Sequence, residues 1–182
     1  MYNENNVNTF LGIIRDRFSY RGEYKPDPVP REHLELIVEA GLAAPSGCNK
    51  QTTSLIAVDD PALIGALGAL LDGSGFASAP AAICVLTRPI VAWGSVIYNV
   101  QDYGAAIENM LLAITALGYA SCWVEGQITS DDEIASGMRE ILGVPGEYQL
   151  VAYLPVGVAG EPGSRAEKKP ACERAWFNGF GV

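Results

Sequence analysis

The stretch VIYNVQDYGAAIENMLLAITALG, residues 96–118, gives the clearest indication of how the chain folds. Its apolar residues recur at helical spacing without a proline, which predicts the longest helix of the chain, about 20 residues ending near Gly118. Apolar side chains cover more of this helix than one packed face requires. Because such a helix in a chain of this size often lies against a second subunit, we expect a homodimer.

Shorter segments on either side of this helix predict alternating strands and helices. The predicted strands are SLIAVDD (54–60), AAICVLTR (81–88), YASCWVEG (119–126) and YQLVAYLPVGVAG (148–160). The predicted helices are VNTFLGIIRD (7–16), REHLELIVEAGLA (31–43), PALIGALGALL (61–71) and TSDDEIASGMREILG (129–143). No repeat and no internal linker interrupts this order. We therefore expect one domain over residues 1–182, with an α+β or α/β fold and helices on both faces of a central sheet.

The composition excludes several classes of partner. With a formal net charge of -9, the chain is not expected to bind nucleic acid or an anionic membrane. No apolar run reaches the roughly 18 to 20 residues that a membrane-spanning helix needs. The N-terminal residues also lack the basic start and apolar core of a signal peptide, so we expect a cytoplasmic protein.

The residue types that usually carry catalysis or bind metals are scarce. The four cysteines lie far apart, and His33 is the one histidine. This spacing favours free thiols over a zinc site or a disulfide framework, so we expect no metal, and we expect His33 on the surface. The motifs of dinucleotide folds, phosphate-binding loops, zinc proteases and serine hydrolases are absent. If the protein is an enzyme, we therefore expect a cofactor rather than a catalytic side chain to carry the chemistry.

Basic residues gather at the two ends of this acidic chain. Nine of the 12 Lys and Arg residues lie there: Arg15, Arg17, Arg21, Lys25 and Arg31 near the start, and Arg165, Lys168, Lys169 and Arg174 near the end. They could meet around one small anion or be separate solvated residues, and charge alone favours separate residues. In RFSYRGEYK (17–25), however, Arg17, Ser19 and Arg21 alternate, so in an extended chain these three side chains share a face.

Four segments, taken in order, resemble the flavin-binding segments of the nitroreductase family. They are RDRFSYR (15–21), AAPSGCNKQ (43–51), CWVEGQ (122–127) and RAEKKP (165–170). The helix segment IENMLLAITALG (107–118) also resembles the family's Gln-Asn-Leu-Leu-Leu-Ala helix, with Glu108 where Gln is usual. The resemblance implies an interlocked homodimer with FMN at the subunit interface. It also implies a central mixed, largely antiparallel sheet flanked by helices on both faces.

The resemblance assigns the phosphate of FMN to the two basic ends of the chain. A flavin phosphate is a dianion, which planar multi-donor arginines bind well. Arg17, Ser19 and Arg21 stand at the family's Arg-x-Ser-x-Arg/Lys positions. The implied C-terminal partners are Lys168 and Lys169, and Arg165 could share that role.

The resemblance assigns a first turn to the flavin ring and the ribityl chain. The implied residues are Pro45, Ser46, Gly47, Asn49 and Gln51. Small residues let the backbone come close, and the Asn49 amide can both donate and accept a hydrogen bond at the pyrimidine edge. The alternative interpretation is an ordinary polar turn between a helix and a strand.

A second turn, WVEG, is implied to lie beside the ring. Trp123 and Val124 would line the ring, and Trp123 as a core residue is the alternative. The backbone N–H groups of Glu125 and Gly126 would face flavin N5 and O4, where a donor stabilises the charge that develops on reduction.

The implied function is that of an FMN-dependent oxidoreductase. Hydride would pass from NAD(P)H to flavin N5 and then, in a ping-pong scheme, to a nitroaromatic or quinone. LDGSGFASAP (71–80) lacks an Asn and a Lys that larger relatives use, and the substrate-pocket insert is reduced to RPIVAWGSVIYN (88–99). Two alternatives therefore stay open: a flavin-binding sensor or storage module with little turnover, and a domain that binds no flavin. In the short insert and the helix after it, Trp93, Tyr98 and Tyr103 could stack on an aromatic substrate or simply pack.

Overall fold

The computed structural model of the chain describes residues 3–130 and 132–181. Its helices are α1 (Glu4–Asp16), α2 (Arg31–Leu42), α3 (Pro61–Gly68), α4 (Ser74–Ser78), α5 (Asn99–Ala116), α6 (Gly126–Ser130) and α7 (Asp132–Leu142). Its strands are β1 (Thr53–Val58), β2 (Ala81–Thr87), β3 (Val91–Trp93), β4 (Val96–Ile97) and β5 (Gln149–Val156). Short 3-10 turns cover Gly47–Asn49 and Ala171–Glu173.

A mixed, largely antiparallel sheet forms the centre of the fold. β2 lies between β1 and β5 and is antiparallel to both. Beyond β5, single antiparallel bridges join Ala120 to Gly157 and Val124 to Tyr153, and a parallel bridge joins Ser121 to Ser19. The sheet class implied by the resemblance is therefore confirmed. The predicted strand 119–126 is reduced to these bridges, because the chain turns into α6 directly after Glu125.

Helices cover both faces of this sheet, as predicted. Successive residues of β2 point to opposite faces, and every residue of the strand is buried. Ile83 and Val85 pack with α2 and α5 in one core cluster. Ala82 and Cys84 pack with α3, α4, α6 and α7 in the other. The chain thus encloses two apolar layers, one on each side of β2.

The long helix α5 lies at the centre of the first layer. Ile107, Met110 and Ile114 are fully buried, whereas Val100 and Glu108 are exposed. One side of α5 therefore faces solvent in the single chain, and it carries both an apolar and a charged residue. That a second subunit covers this side stays a prediction. Gly118 follows the end of the helix with φ of 83°, as expected for a C-terminal cap.

Helix α1 has an uncovered apolar face. None of its 13 residues is buried, and Phe10, Leu11 and Ile14 are exposed although the helix is amphipathic. Among the described residues, no helix is both long and apolar enough to cross a membrane.

The one histidine is not a free surface residue. His33 is half-buried, and its Nδ1 lies 2.8 Å from the hydroxyl oxygen of Tyr119 at the far end of α5. The prediction that His33 is a surface residue is therefore only partly correct, because the ring is half-buried against Tyr119. Its ring packs on an aromatic side chain that is remote from it in sequence.

The buried thiols yield a test of the two-layered core. Burial raises the pKa of Cys84 to about 12 and that of Cys122 to about 11. In a Cys48→Ala/Cys172→Ala variant we expect neither thiol to react with an aromatic disulfide reagent at pH 8, because the reactive thiolate forms only near those pKa values. Both should react once the chain is unfolded in denaturant. Rapid reaction of the folded variant at pH 8 would contradict this packing.

Candidate active site

A wide cavity lies where the two basic ends of the chain meet. It has a volume of about 860 Å³, and its lining comes from residues 14–22 on one side and from within residues 161–168 on the other. Arg15, Arg17, Arg21, Arg165 and Lys168 all contribute to this lining. We call this cavity the basic cleft.

Tyr20 holds the two ends of the chain together. Its backbone N–H donates to the Ser121 carbonyl at 2.9 Å, and its hydroxyl donates to the Glu23 carbonyl at 2.6 Å. The same hydroxyl oxygen accepts from the N–H groups of Gly160 at 3.1 Å and Glu161 at 3.3 Å. One buried side chain therefore fixes the N-terminal segment against the sheet edge and against the C-terminal segment.

All five residues of RFSYR contribute to the lining of the basic cleft, Phe18 and Tyr20 as well as Arg17, Ser19 and Arg21. Tyr20 is also buried, and Ser19 forms a parallel bridge with Ser121, as expected for an extended segment. Of the implied C-terminal residues, Lys168 and Arg165 line the cleft, and Lys169 is outside its lining.

Two of the cleft cations already contact carboxylates. The Arg17 Nε lies 3.5 Å from Glu108 Oε1 on α5. The Arg165 Nη2 atom lies 2.8 Å from the Oδ1 atom of Asp16, the last residue of α1. Arg21 instead makes a contact at 3.5 Å to the Ser19 carbonyl and has no carboxylate partner among the described residues. The cleft thus combines paired and unpaired positive charges.

The loop of residues 43–51 borders a different cavity. That cavity measures about 230 Å³ and is lined by Pro45, Ser46 and Gln51 together with α2 and α5 residues. It shares no lining residue with the basic cleft. A single chain therefore brings two of the four predicted segments, RDRFSYR and RAEKKP, together around the basic cleft, and neither this loop nor the 122–127 turn contributes to its lining. Asn49 is exposed and lies outside the lining of both cavities.

A buried carboxylate holds this loop against α5. Asp102 is 4% exposed and accepts hydrogen bonds from the Gly47 N–H at 2.8 Å and the Thr52 hydroxyl at 2.7 Å. Within the loop, Ser46 Oγ accepts from the Gln51 N–H at 2.9 Å. Gly47 is required here because a Cβ atom would lie 2.5 Å from the Tyr98 ring. The sequence analysis did not identify Asp102 or Thr52, although an acid within the apolar face of α5 was a usable signal.

The loop backbone is strained at three positions. Cys48, Asn49 and Gln51 have φ values of 49°, 54° and 49°, in the left-handed region that non-glycine residues rarely adopt. Such a conformation persists only when the surrounding contacts enforce it, and the Asp102 and Ser46 hydrogen bonds provide that enforcement.

The turn before α6 also lies beside α5. The Glu125 carbonyl accepts from the N–H groups of Ile128 and Thr129, so α6 begins here with N–H groups that have no acceptor within the helix. Tyr103 on α5 donates from its hydroxyl to Glu125 Oε1 at 2.7 Å. Burial, together with the hydrogen bond to this carboxylate, raises the pKa of Tyr103, which keeps the phenol protonated as the donor.

The structure places the two residues predicted to line the flavin ring, Trp123 and Val124, in different environments. Trp123 is half-exposed beside Gly104 of α5, so the alternative that it is a core residue is wrong. Val124 is buried in the second core layer and pairs with Tyr153, so its side chain is part of the core. The prediction that the Val124 side chain faces the ring conflicts with this placement, because bridge pairing turns that side chain inward.

Comparison with known proteins identifies related chains. The family model described as "Nitroreductase family" matches residues 14–76 and 66–158. A provisionally named NADH dehydrogenase/NAD(P)H nitroreductase of Archaeoglobus fulgidus is 32% identical over 148 residues, which cover 81% of this chain and 83% of that protein. An FMN-dependent nitroreductase of Clostridium difficile has a TM-score of 0.77 and 27% identity, covering 93% of this chain and 99% of that one. A Desulfovibrio desulfuricans protein solved in complex with FMN has a TM-score of 0.79 and 28% identity, covering 99% of each chain.

Removing the loop anchor has a predictable effect on stability. Asp102→Ala leaves the buried Gly47 N–H and Thr52 hydroxyl without their acceptor, so we expect the free energy of unfolding to fall by about 2–4 kcal/mol. Thr52→Val removes one of the two bonds and should lower it by about 1–2 kcal/mol. Denaturant titration of each variant gives both values.

The neighbouring threonine is a matched control. The Thr53 hydroxyl is buried without a hydrogen-bond partner in the described part of the chain, so Thr53→Val should change the unfolding free energy by no more than about 0.5 kcal/mol. The double variant Asp102→Ala/Thr52→Val should lose less than the sum of the single losses. Strict additivity, or equal losses at Thr52 and Thr53, would contradict the proposed anchor.

Proposed function

The chain belongs to the nitroreductase family, and we propose that it is an FMN-dependent oxidoreductase that passes hydride from NAD(P)H to an electron-poor aromatic acceptor. An NAD(P)H-dependent flavin oxidoreductase is also what the names of its relatives describe. When bound, FMN supplies the redox chemistry, with hydride entering and leaving at N5 in a ping-pong scheme. The protein residues bind, orient and shield the reactants.

The basic cleft is the observation that carries this proposal. An acidic chain of net charge -9 concentrates five cationic side chains around one cavity. Arg17, Ser19 and Arg21 contribute two guanidinium groups and a hydroxyl to its lining. This donor set fits a phosphate dianion, because guanidinium groups form paired, charge-assisted hydrogen bonds with phosphate oxygens. Lys168 completes the set from the C-terminal side, with Arg165 as the second contributor.

The separation of the two cavities supports a site built from two subunits. The basic cleft and the loop of residues 43–51 lie apart in one chain, yet both are assigned to the same cofactor. Helix α1 exposes an apolar face that the described part of its own chain does not bury. After the 3-10 turn Ala171–Glu173, residues 174–181 form a segment that we call the C-terminal arm, in which Phe177 and Phe180 are 85% and 86% exposed. A homodimer in which α1 and this arm meet the partner subunit would bury these surfaces and complete the site.

The turn at Glu125 suits the position beside flavin N5. The backbone N–H groups of Glu125 and Gly126 lie just before α6 and at its first residue. N–H groups at the start of a helix have no acceptor within the helix. The hydrogen bond from Tyr103 to the Glu125 carboxylate restricts the movement of this turn. Donors held in place before reduction stabilise the negative charge that develops on the ring.

A short hairpin defines the acceptor side of the proposed site. β3 and β4 form it around Gly94, and β3 packs against the Gly47–Asn49 turn. Trp93 is 72% exposed on this hairpin and is available to stack on a planar acceptor. Tyr103 is buried and bonded to Glu125, so it has a structural role. These features favour nitroaromatics and quinones as acceptors.

The phosphate assignment leads to a test with two ligands. Arg21→Ala and Arg17→Ala should each weaken FMN binding by about 1.5–3 kcal/mol, because each removes a charge-assisted hydrogen bond. Riboflavin lacks the phosphate, and its affinity should hardly change. Quenching of flavin fluorescence measures both affinities. Lys25→Ala is the control, because Lys25 is exposed and outside the lining of the cleft. Equal losses for FMN and riboflavin would contradict the assignment.

Turnover distinguishes the enzyme from a flavin-storage protein. We expect the FMN-loaded protein to oxidise NADH or NADPH faster than free FMN does when menadione or nitrofurazone is supplied. Trp93→Ala should raise KM for the aromatic acceptor several-fold without changing FMN affinity, because in the proposed site its ring would stack on the acceptor and not on FMN. A yellow protein that reduces no acceptor above the free-FMN rate would overturn the enzymatic proposal.

A further inference from the structure

We propose that Glu108 and Asp16 compete with the cofactor phosphate for Arg17 and Arg165, and thereby set how tightly the basic cleft binds a phosphate dianion. This inference rests on the proposed function, because it concerns the same cleft. It assigns a role in determining cofactor affinity to two carboxylates that do not themselves line the cleft.

Each ion pair occupies one cation of the cleft. Glu108 reaches Arg17 from α5, and Asp16 reaches Arg165 from the end of α1. The Arg17 side chain is 22% exposed and that of Glu108 is 50% exposed, so water and ions reach this pair. The Asp16 and Arg165 side chains are more than half exposed. Both pairs can therefore open without unfolding the chain.

Each carboxylate acts on a bound phosphate in two ways. A guanidinium that contacts a carboxylate must release or share it before it can bind the phosphate fully. A carboxylate that stays nearby repels the dianion, since like charges within a Debye length of about 8 Å interact at physiological ionic strength. Both effects weaken phosphate binding. Arg21 and Lys168 have no such competitor in the described chain and form the part of the cleft that is ready for an anion.

If Glu108 supported phosphate binding instead of competing with it, removing its charge would change FMN affinity in the opposite direction. If Glu108 served to position Arg17 for the phosphate, removing its charge would leave Arg17 more mobile, and FMN would bind more weakly. If it competes, removing its charge frees Arg17, and FMN binds more tightly. The sign of the change in affinity therefore separates competition from structural support.

The experiment compares isosteric amide variants. Glu108→Gln and Asp16→Asn should each tighten FMN binding by about three- to five-fold, the scale of one exposed ion pair. Riboflavin affinity should stay the same in both variants. Glu4→Gln is the matched control, because it removes one negative charge from α1 at about 18 Å along the helix from Asp16, beyond the range of screened interactions.

A second measurement uses inorganic phosphate and needs no flavin. At constant ionic strength, phosphate in place of chloride should raise the melting temperature of Glu108→Gln more than that of the unaltered protein, because tighter binding stabilises the folded state more. FMN affinity that is unchanged or lower in Glu108→Gln and Asp16→Asn would overturn the inference while leaving the proposed function intact. If FMN does not bind the unaltered protein, the proposed function fails, and the phosphate-induced melting shift alone decides the inference.

Discussion

The fold depends on one strand that must be covered on both faces. β2 presents apolar side chains alternately to either side, and every one of its residues is buried. A strand of this kind cannot lie at a solvent-facing surface, so helices have to pack on both sides of it. α2 and α5 supply one layer, and α3, α4, α6 and α7 supply the other. The functional loops then emerge from the ends and edges of this three-layer arrangement.

Local patterns predicted the parts of the structure that local physics determines. The period of α5, the apolar run of β2 and the alternation of Arg17, Ser19 and Arg21 are each visible within a few consecutive residues. Contacts between remote segments were not visible. The Asp102 bonds to the 43–51 loop join residues some 50 positions apart, and the Tyr119 contact of His33 spans 86. No periodicity encodes such pairs, and for that reason the loop anchor and the position of His33 were missed.

The candidate site was predicted unevenly for the same reason. Residue types that suit a dianion are recognisable in the sequence, and the structure brings the two basic ends together around one cleft. The assembly of the whole site could not be predicted in this way, because the sequence of one chain does not show which of its surfaces would meet in a dimer. The separation of the two cavities, together with the uncovered face of α1, is evidence available only from the folded chain. Val124 shows the same limit of sequence-based prediction for a single residue, because its bridge pairing with Tyr153 decides which way its side chain points.

The hydrogen bonds of the Tyr20 hydroxyl have a consequence for the order of events during synthesis. They connect residues 140 and 141 positions apart, so the basic cleft is among the contacts of longest range in the chain. The sheet and its helices can begin to pack while the C-terminal segment is still being translated, whereas the cleft has to wait for residues 160–168. The proposed capacity to retain a phosphate dianion therefore depends on the last part of the chain to be synthesised. A polypeptide released before that point would carry most of the hydrophobic core but lack Arg165 and Lys168, two of the five cations that line the cleft.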